Sequence, residues 1–198
     1  MLEYLYKIAF KISTLATKLT ASLSRRFKVG HGVIAQGIPI ISAWKGSTIK
    51  VGPKCVLTSH SRATALGVRG PVILRTLAEG AVIDIGADCG LSGTVICAYK
   101  SVTIGDGTLI GADVMIFDTD FHPADHRARR HAPVNFATDV AEVEIGRNVF
   151  IGTRSTVCKG VKIGDNAVIA AGSIVTKNVE PNSVYGGVPA KKLRDLSI

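Results

Sequence analysis

The most constraining feature of the sequence is a six-residue repeat in its C-terminal half. From Ile145 the chain reads IGRNVF, IGTRST, VCKGVK, IGDNAV, IAAGSI and VTKNVE, which are six hexads without a slip. The first place is always Ile or Val, and the fifth is always small or β-branched. This spacing predicts short strands whose side chains point into a narrow prism. The fourth place holds Gly or Asn, with Arg154 as the exception, and suits corners with positive φ.

The same phase recurs upstream and extends the predicted solenoid over most of the chain. IGDGTL and IGADVM cover 104–115, looser hexads begin at Ile85 and Leu91, and VGPKCV begins at Val51. The 198 residues include 21 glycines and only 6% aromatics, a composition that fits many small stacked layers. We predict a solenoid domain at 31–186, preceded by a helix and linker at 1–30 and followed by a tail at 187–198.

Composition and charge argue against several classes of protein. The cysteines include no CxxC pair, which speaks against disulfides and a zinc knuckle, and we expect all four to be core residues: Cys55, Cys89, Cys97 and Cys158. The formal charge of +9 comes from scattered basic residues with few aromatics, which favours small anionic groups or an anionic surface over nucleic acid. No stretch resembles a secretory signal or a membrane span, so we expect a cytoplasmic protein.

These hexads resemble those of the hexapeptide-repeat acyltransferase family, and the resemblance implies what the period alone does not. Members of the family fold as a left-handed parallel β-helix with three short strands, and so three hexads, per coil. The expected fold is therefore all-β, a left-handed parallel β-helix with an N-terminal amphipathic helix and one extruded loop. Each coil would pair its backbone with the coils above and below it, about 4.8 Å away.

A polar segment interrupts the repeat between Ile116 and Ile145. The interval spans 29 residues, eleven more than one coil of three hexads, so we predict an extruded loop at 117–141. The stretch FDTDFHPADHRARRH at 117–131 carries three of the five histidines of the chain. A polar loop on a rigid scaffold is a common place for a functional site.

The run His122-Pro123, followed by Arg127, Pro133 and IGRNVFIG, is similar to the loop and next coil of the galactoside, maltose and antibiotic acetyltransferases of this family. The resemblance implies that His122 is the catalytic base and that acetyl-CoA is the co-substrate, with no metal. An imidazole, largely neutral at pH 7, can accept the proton of a hydroxyl whose oxygen attacks a thioester. We expect His126 and His131 to be solvated loop residues.

Further residues are candidates for contact with the acceptor. Asp120, and less so Asp118, either orient His122, accept a hydrogen bond from the substrate, or bond the backbone of their own loop. Ser92 lies in GLSG, where related enzymes contact the acceptor, and Phe150 stands where relatives often have a tryptophan. The basic side chains of the loop are expected to form a solvated rim: Arg127, Arg129 and Arg130.

The stretch AAGSIVTKNVEPNSVYGGVPAKKLR at 170–194 is similar to the final coil and tail of the family. There acetyl-CoA lies in a groove between neighbouring subunits, so the resemblance implies a homotrimer with shared active sites. Lys191 and Arg194 would meet the nucleotide phosphates as cations. The positions that carry over as lining the pantetheine arm are Thr153, Ala171, Thr176 and Lys177.

The first residues follow a helical period instead of the hexad. The apolar positions recur on one face, with lysines on another, and predict an amphipathic helix: Leu2, Leu5, Ile8, Ile12, Leu15, Leu19 and Leu23 against Lys7, Lys11 and Lys18. Two roles are open for this helix. It either caps the solenoid or packs in a trimer, or it makes peripheral contact with an anionic membrane.

The sequence as a whole predicts a CoA-dependent O-acetyltransferase that acts on a hydroxyl of a sugar or polysaccharide precursor. The acceptor would attack the thioester directly, without an acyl-enzyme. Acetylation of an antibiotic or of a sugar amine by the same base and groove is an alternative. A remote alternative is a zinc carbonic anhydrase on the same prism, whose ligands would be histidines on the coil faces of adjoining subunits.

Overall fold

The computed structural model describes residues 2–123 and 139–197. It begins with a helix, α1 (Leu2–Leu23), and a 3₁₀ turn lies at Ser61–Ala63. The strands of the described chain are, in order, β1 (Phe27–Val29), β2 (Ile34–Gln36), β3 (Ile40–Ser42), β4 (Thr48–Val51), β5 (Val56–Thr58), β6 (Ile73–Thr76), β7 (Val82–Ile85), β8 (Gly90–Ser92), β9 (Val95–Ala98), β10 (Ser101–Ile104), β11 (Leu109–Ile110), β12 (Met115–Phe117), β13 (Val143–Ile145), β14 (Phe150–Ile151), β15 (Thr156–Val157), β16 (Lys162–Ile163), β17 (Val168–Ile169), β18 (Ile174–Val175), β19 (Ser183–Gly187) and β20 (Ala190–Asp195).

The strands rotate among three sheets, which are the three faces of a prism. Sheet A has the order β1-β4-β7-β10-β13-β16, sheet B β2-β5-β8-β11-β14-β17-β19-β20, and sheet C β3-β6-β9-β12-β15-β18. Within each sheet a strand pairs in parallel with the next strand of that sheet, except that β19 and β20 are antiparallel. The predicted coils of three strands are therefore present.

The core runs along the axis of the prism as stacked columns of aliphatic side chains. On sheet A, Ile104 pairs with Ile145 and Ile145 with Ile163, and each of these first-place residues is 3% exposed. Full burial of an aliphatic side chain contributes about 1.5 to 3 kcal/mol. Because each coil repeats the same inward positions, the hexad pattern specifies the core directly.

The corners between strands follow the predicted backbone conformation in five of the six C-terminal hexads. Their fourth-place residues have φ values between 52° and 74°: Asn148, Arg154, Gly160, Asn166 and Gly172. Asn178, in the sixth hexad, departs from this pattern. Its side-chain Oδ1 instead accepts a hydrogen bond from the Lys162 N–H at 2.9 Å, which joins the last two coils.

The cysteines divide into two kinds. Cys55 and Cys89 are buried, as expected, but Cys97 and Cys158 are only half-buried. Each of the latter directly follows a fully buried residue, Ile96 in one case and Val157 in the other. Because successive side chains of a strand point to opposite faces, both thiols are turned outwards, and the expectation of a core position was wrong for them.

The helix α1 covers the open edge of sheet B. The Ser13 hydroxyl donates to the Ala35 carbonyl at 2.6 Å, and the Ala35 N–H donates to the Thr14 hydroxyl at 2.9 Å. Ala35 lies in β2, the first strand of its sheet, so its outward backbone groups have no strand to pair with. The helix satisfies these groups and caps the solenoid, which is one of the roles predicted for it.

The face that α1 turns to the solenoid is small and polar. Ser13 and Thr17 are each 4% exposed, whereas Leu15 and Leu23 are 68% and 81% exposed. The hydroxyls of this polar side cap the sheet edge and have to face it. The aliphatic side of the helix therefore lies on the outside.

An insertion that the repeat pattern did not reveal lies at 59–72, between β5 and β6. Its His60 ring is 6.0 Å from the rings of Tyr6 and Phe10, and the Arg62 guanidinium lies 5.2 Å above the Tyr6 ring. The insertion therefore packs against α1. At the two ends of the solenoid, β1 already begins at Phe27, and β20 completes sheet B with the segment expected as a separate tail.

Candidate active site

The predicted loop leaves the solenoid at Asp118, whose side chain is fully buried. Its carboxylate accepts the backbone N–H groups of Tyr99 at 2.7 Å, Lys100 at 2.6 Å and Ser101 at 2.8 Å. Burial raises the pKa of this carboxyl above its usual value, and the three N–H donors oppose that rise. Asp118 thus binds the turn of the preceding coil instead of its own loop or His122, and it fixes where the loop begins.

A lysine of the following coil holds both ends of the loop. Lys159 Nζ lies 2.6 Å from Asp120 Oδ2 and 3.9 Å from Asp139 Oδ1. In addition, the Ala141 N–H donates to the Asp118 carbonyl at 3.0 Å. Sequence reasoning gave Lys159 no role, and its partner Asp120 is engaged with this cation at the base of the loop.

His122 follows directly on this anchored segment. Its backbone N–H donates to the Asp120 carbonyl at 2.7 Å, and Phe121 between them has a φ of 63°. The Phe121 ring packs 5.6 Å from that of Phe117, the last residue of β12. This tight turn leaves the His122 side chain exposed. The imidazole is thus presented to the outside from a rigid base.

Several loop residues named above lie outside the described residues. They are His126, His131, Arg127, Arg129 and Arg130, and their interpretation stays a prediction. Among the described residues, no group of three or more His, Cys, Asp or Glu side chains could hold a metal ion.

Two of the positions proposed to line the donor lie at one corner of the prism, between sheets B and C. The Gly172 N–H donates to the Thr153 carbonyl at 2.8 Å, which places Thr153 and Ala171 on adjacent coils. A Cβ on Gly152 would lie 2.4 Å from the Ala171 nitrogen, so the backbones touch there. The Thr153 hydroxyl donates to the Ala112 carbonyl at 2.7 Å. The corner is a narrow ridge of backbone and small side chains.

The other donor candidates lie at the C-terminal end. Thr176 and Lys177 follow β18, and Lys191 and Arg194 lie on β20, exposed to solvent. The ammonium group of their neighbour Lys192 is already paired, since its Nζ lies 2.7 Å from Asp195 and 2.6 Å from Glu180. These carboxylates raise the pKa of Lys192. Within the described chain no ion pair involves Lys191 or Arg194. Both cations, like the exposed Lys177, are therefore available to an anionic ligand.

The substrate candidates Phe150 and Ser92 and the loop with His122 lie on different sheets of the same chain. Phe150 lies in β14 with 48% of its surface exposed, and Ser92 is half-buried in β8 of the same sheet. His122 follows β12 of sheet C instead. A single chain therefore distributes the predicted site over two faces of the prism.

The three faces differ in chemistry along their outward columns. Sheet A is polar and charged, with Lys28, Lys50, Asp84, Thr103, Glu144 and Lys162 in register. Sheet B presents a longer column of Ile34, Val56, Gly90, Leu109, Phe150, Val168 and Val184 and a short polar one of Gln36, Thr58 and Ser92. Sheet C presents a longer column of Ile40, Ile73, Val95, Met115, Thr156 and Ile174 and a shorter one of Ser42, Arg75, Cys97 and Phe117. Sheets B and C, which carry the predicted site, thus each have one mainly apolar column.

Comparison with known proteins places this fold in a class. A family model described as the hexapeptide repeat of succinyl-transferase matches residues 142–177. The solved structure of AntD, an N-acyltransferase from Bacillus cereus in complex with dTDP and 3-hydroxybutyryl-CoA, superposes with a TM-score of 0.65 at 18% identity, covering 86% of this chain and 83% of that one. The superposition confirms the predicted left-handed parallel β-helix, and 142–177 match the repeat of that family model.

Two relatives from Escherichia coli K12 are similar in sequence. Galactoside O-acetyltransferase is 41% identical over 104 residues, which are 52% of this chain and 48% of the relative. A protein that carries the name of a lipopolysaccharide biosynthesis O-acetyl transferase, WbbJ, is 36% identical over 103 residues, or 50% and 53% of the two chains. The chain spans about half the length of these relatives. The resemblance to hexapeptide-repeat acyltransferases is confirmed.

Proposed function

We propose that the protein is an acetyltransferase that moves the acetyl group of acetyl-CoA to a hydroxyl of a sugar or polysaccharide precursor. The observation that carries this proposal is the exposed His122, held on a turn that Asp118 and Lys159 anchor to two different coils. The similarity to galactoside O-acetyltransferase supports both the reaction and the class of acceptor.

The proposed reaction needs one base and no covalent intermediate with the protein. His122 takes the proton of the acceptor hydroxyl while that oxygen attacks the thioester carbonyl carbon, and a tetrahedral oxyanion forms. When the oxyanion collapses, the C–S bond breaks, and the imidazolium returns the proton to the CoA sulfur. Backbone N–H groups near the loop would stabilise the oxyanion. The new C–O ester bond and free CoA balance the reaction.

We propose that the active form is a homotrimer with a site between neighbouring chains. His122 follows sheet C, while Phe150 and Ser92 lie on sheet B, so neighbouring copies that pack sheet C against sheet B would bring them together. The apolar columns of these two sheets suit such packing, and the charged column of sheet A suits solvent. Light scattering is expected to give three times the monomer mass of 20.8 kDa. A monomer would contradict the shared site.

For the donor we propose that Lys191 and Arg194 bind the nucleotide phosphates and that the Thr153 and Ala171 corner receives the pantetheine arm. The support is that these two cations lack carboxylate partners in the described chain, whereas Lys192 has two. Small residues at the corner leave room for an extended chain to lie along the backbone. Thr176 and Lys177 would extend this line along the last coil.

The test of the proposed function is an acetyl-transfer assay with acetyl-CoA and a panel of sugar hydroxyl and sugar amine acceptors. His122→Ala should lower kcat by about 10² to 10⁴, the usual contribution of a positioned base, with donor affinity nearly unchanged.

The matched control is His31→Ala, because His31 is also exposed but lies at a corner of the first coil. It should retain full activity, and changes at His126 or His131 should cost far less than the change at His122. Near-normal kcat in His122→Ala, or loss of catalysis on replacement of His126 or His131, would reject the assignment. Faster transfer to amines than to hydroxyls would replace the O-acetyl proposal with N-acetylation.

For the cellular location we propose the cytoplasm, where acetyl-CoA is made and used. In the described part of the chain, no helix is both long enough and apolar enough to cross a bilayer.

A further inference from the structure

The net positive charge of the protein lies at one end of the solenoid. Residues 4–78 contain twelve Lys and Arg and no Asp or Glu, whereas 79–198 contain twelve Lys and Arg against fourteen Asp and Glu. Coils of a solenoid stack in chain order, so position in the sequence is height along the axis. The end formed by α1 and the first two coils therefore carries more than the whole formal charge of +9.

The outer surface of this end is an apolar ridge. With 3.6 residues per turn, one side of α1 collects residues that are 54% to 81% exposed: Leu5, Ile12, Leu15, Leu19 and Leu23. Ser13 and Thr17, on the opposite side, are buried against the solenoid. The ridge is thus directed away from the protein along the length of the helix, and no described residue covers it.

Basic side chains border the ridge on one side. Lys7, Lys11 and Lys18 are exposed and line a groove that runs between α1 and Ile34 on sheet B. Arg25 and Lys28, also exposed, follow the helix. Large aliphatic side chains beside a row of cations are what an interfacial helix presents to lipid, because the apolar groups enter the acyl region while the cations reach the headgroups.

We propose that this ridge docks the protein on an anionic lipid surface, with the axis of the solenoid standing away from the membrane. Charge decides between this occupant and a second copy. Two copies packed ridge to ridge would bring two strongly basic ends together without an acidic residue from 4–78 of either one. Neighbours packed through sheets B and C would lie beside the prism, and of the five ridge residues Leu15 alone lines the groove next to Ile34 of sheet B. A nucleic acid would use the cations but not the five aliphatic side chains.

The experiment is flotation of the full-length protein with vesicles of neutral phosphatidylcholine, with and without about one third phosphatidylglycerol. The protein should float with the anionic vesicles and much less with the neutral ones, and about 0.5 M salt should weaken its binding. The triple change Lys7→Gln, Lys11→Gln and Lys18→Gln should weaken binding by about fivefold per lysine.

The decisive variant is Leu15→Glu with Leu19→Glu, which places charge on the ridge where neither side chain supports the fold. It should lose at least about tenfold in vesicle affinity while circular dichroism and acetyl-transfer activity stay unchanged. Leu66→Glu is the matched control, since Leu66 is 72% exposed but lies in the 59–72 insertion. Its vesicle binding should equal that of the unmutated protein.

Two results would overturn the proposal. One is an unmutated protein that stays at the bottom with anionic vesicles, or a ridge variant that floats as well as its parent. The other is a ridge variant whose mass by light scattering falls while its vesicle binding is retained, which would assign the ridge to a second copy. None of these measurements depends on catalysis, so a failure of the proposed acetyl transfer is distinguishable from a failure of docking.

Discussion

Replacement of Asp118 by alanine tests whether the loop that carries His122 is anchored by that carboxylate. The fully buried carboxylate accepts three backbone N–H bonds of 2.6 to 2.8 Å from 99–101. A buried donor that loses its partner costs about 1 to 3 kcal/mol, and water entering the space left by the side chain would satisfy some of them. We expect a net loss of about 3 to 5 kcal/mol in the free energy of unfolding.

For a chain of this length, that loss corresponds to a thermal midpoint lowered by about 6 to 20 °C. Circular dichroism during heating measures it, and urea denaturation checks the free energy. The matched control is Asp120→Ala, two residues along, whose side chain is 40% exposed and pairs with Lys159. A surface ion pair contributes about 1 kcal/mol or less, so this midpoint should move little. Equal midpoints for the two variants would refute the anchoring role of Asp118.

Two further predictions concern the donor site and the stacking of coils. Lys191→Ala and Arg194→Ala should each raise the acetyl-CoA Kd about tenfold or more, the larger effect falling at Arg194, while Lys192→Ala, whose cation is already paired, should leave calorimetric titrations unchanged. Equal effects of all three changes would contradict the specific role proposed for Lys191 and Arg194. Gly152→Ala should destabilise the protein by about 3 kcal/mol, because its Cβ would lie 2.4 Å from the Ala171 nitrogen. Gly172→Asn, at φ +69° with nothing within 4 Å, should cost below about 1 kcal/mol in the same urea titration; the reverse order would contradict the close approach of the coils at Gly152.

The repeat made most of the fold predictable. Hexads from Ile145 onwards specified which residues point inwards, and the corners at Asn148, Gly160 and Asn166 have the positive φ inferred for them. The loop after β12 was also predictable, since surplus residues cannot fit the prism. The insertion at 59–72 was not, because the hexads around it are too loose to show where the count fails.

The sequence predicted which residues belong to the candidate site but not the contacts that hold them. His122 was identified by its resemblance to the family, and the structure presents it on an exposed turn. The ion pair of Lys159 with Asp120 was not foreseen, because the partners are separated by 39 residues and meet only through stacked coils. The direct contact of Asp118 with 99–101 has the same origin.

The sequence by itself determined the local conformation of each hexad, because inward aliphatic groups and left-handed corners are set by residues within one repeat. It also placed the excess positive charge in the first 78 residues, although the repeat pattern did not show what that charge faces. The tertiary structure decided which side of α1 faces the solenoid: the Ser13 and Thr14 hydroxyls satisfy the open edge of β2, and the Leu and Ile ridge is left outside. An amphipathic pattern shows only which residues share a face. The direction of that face depends on backbone groups that only the stacked coils bring to the helix.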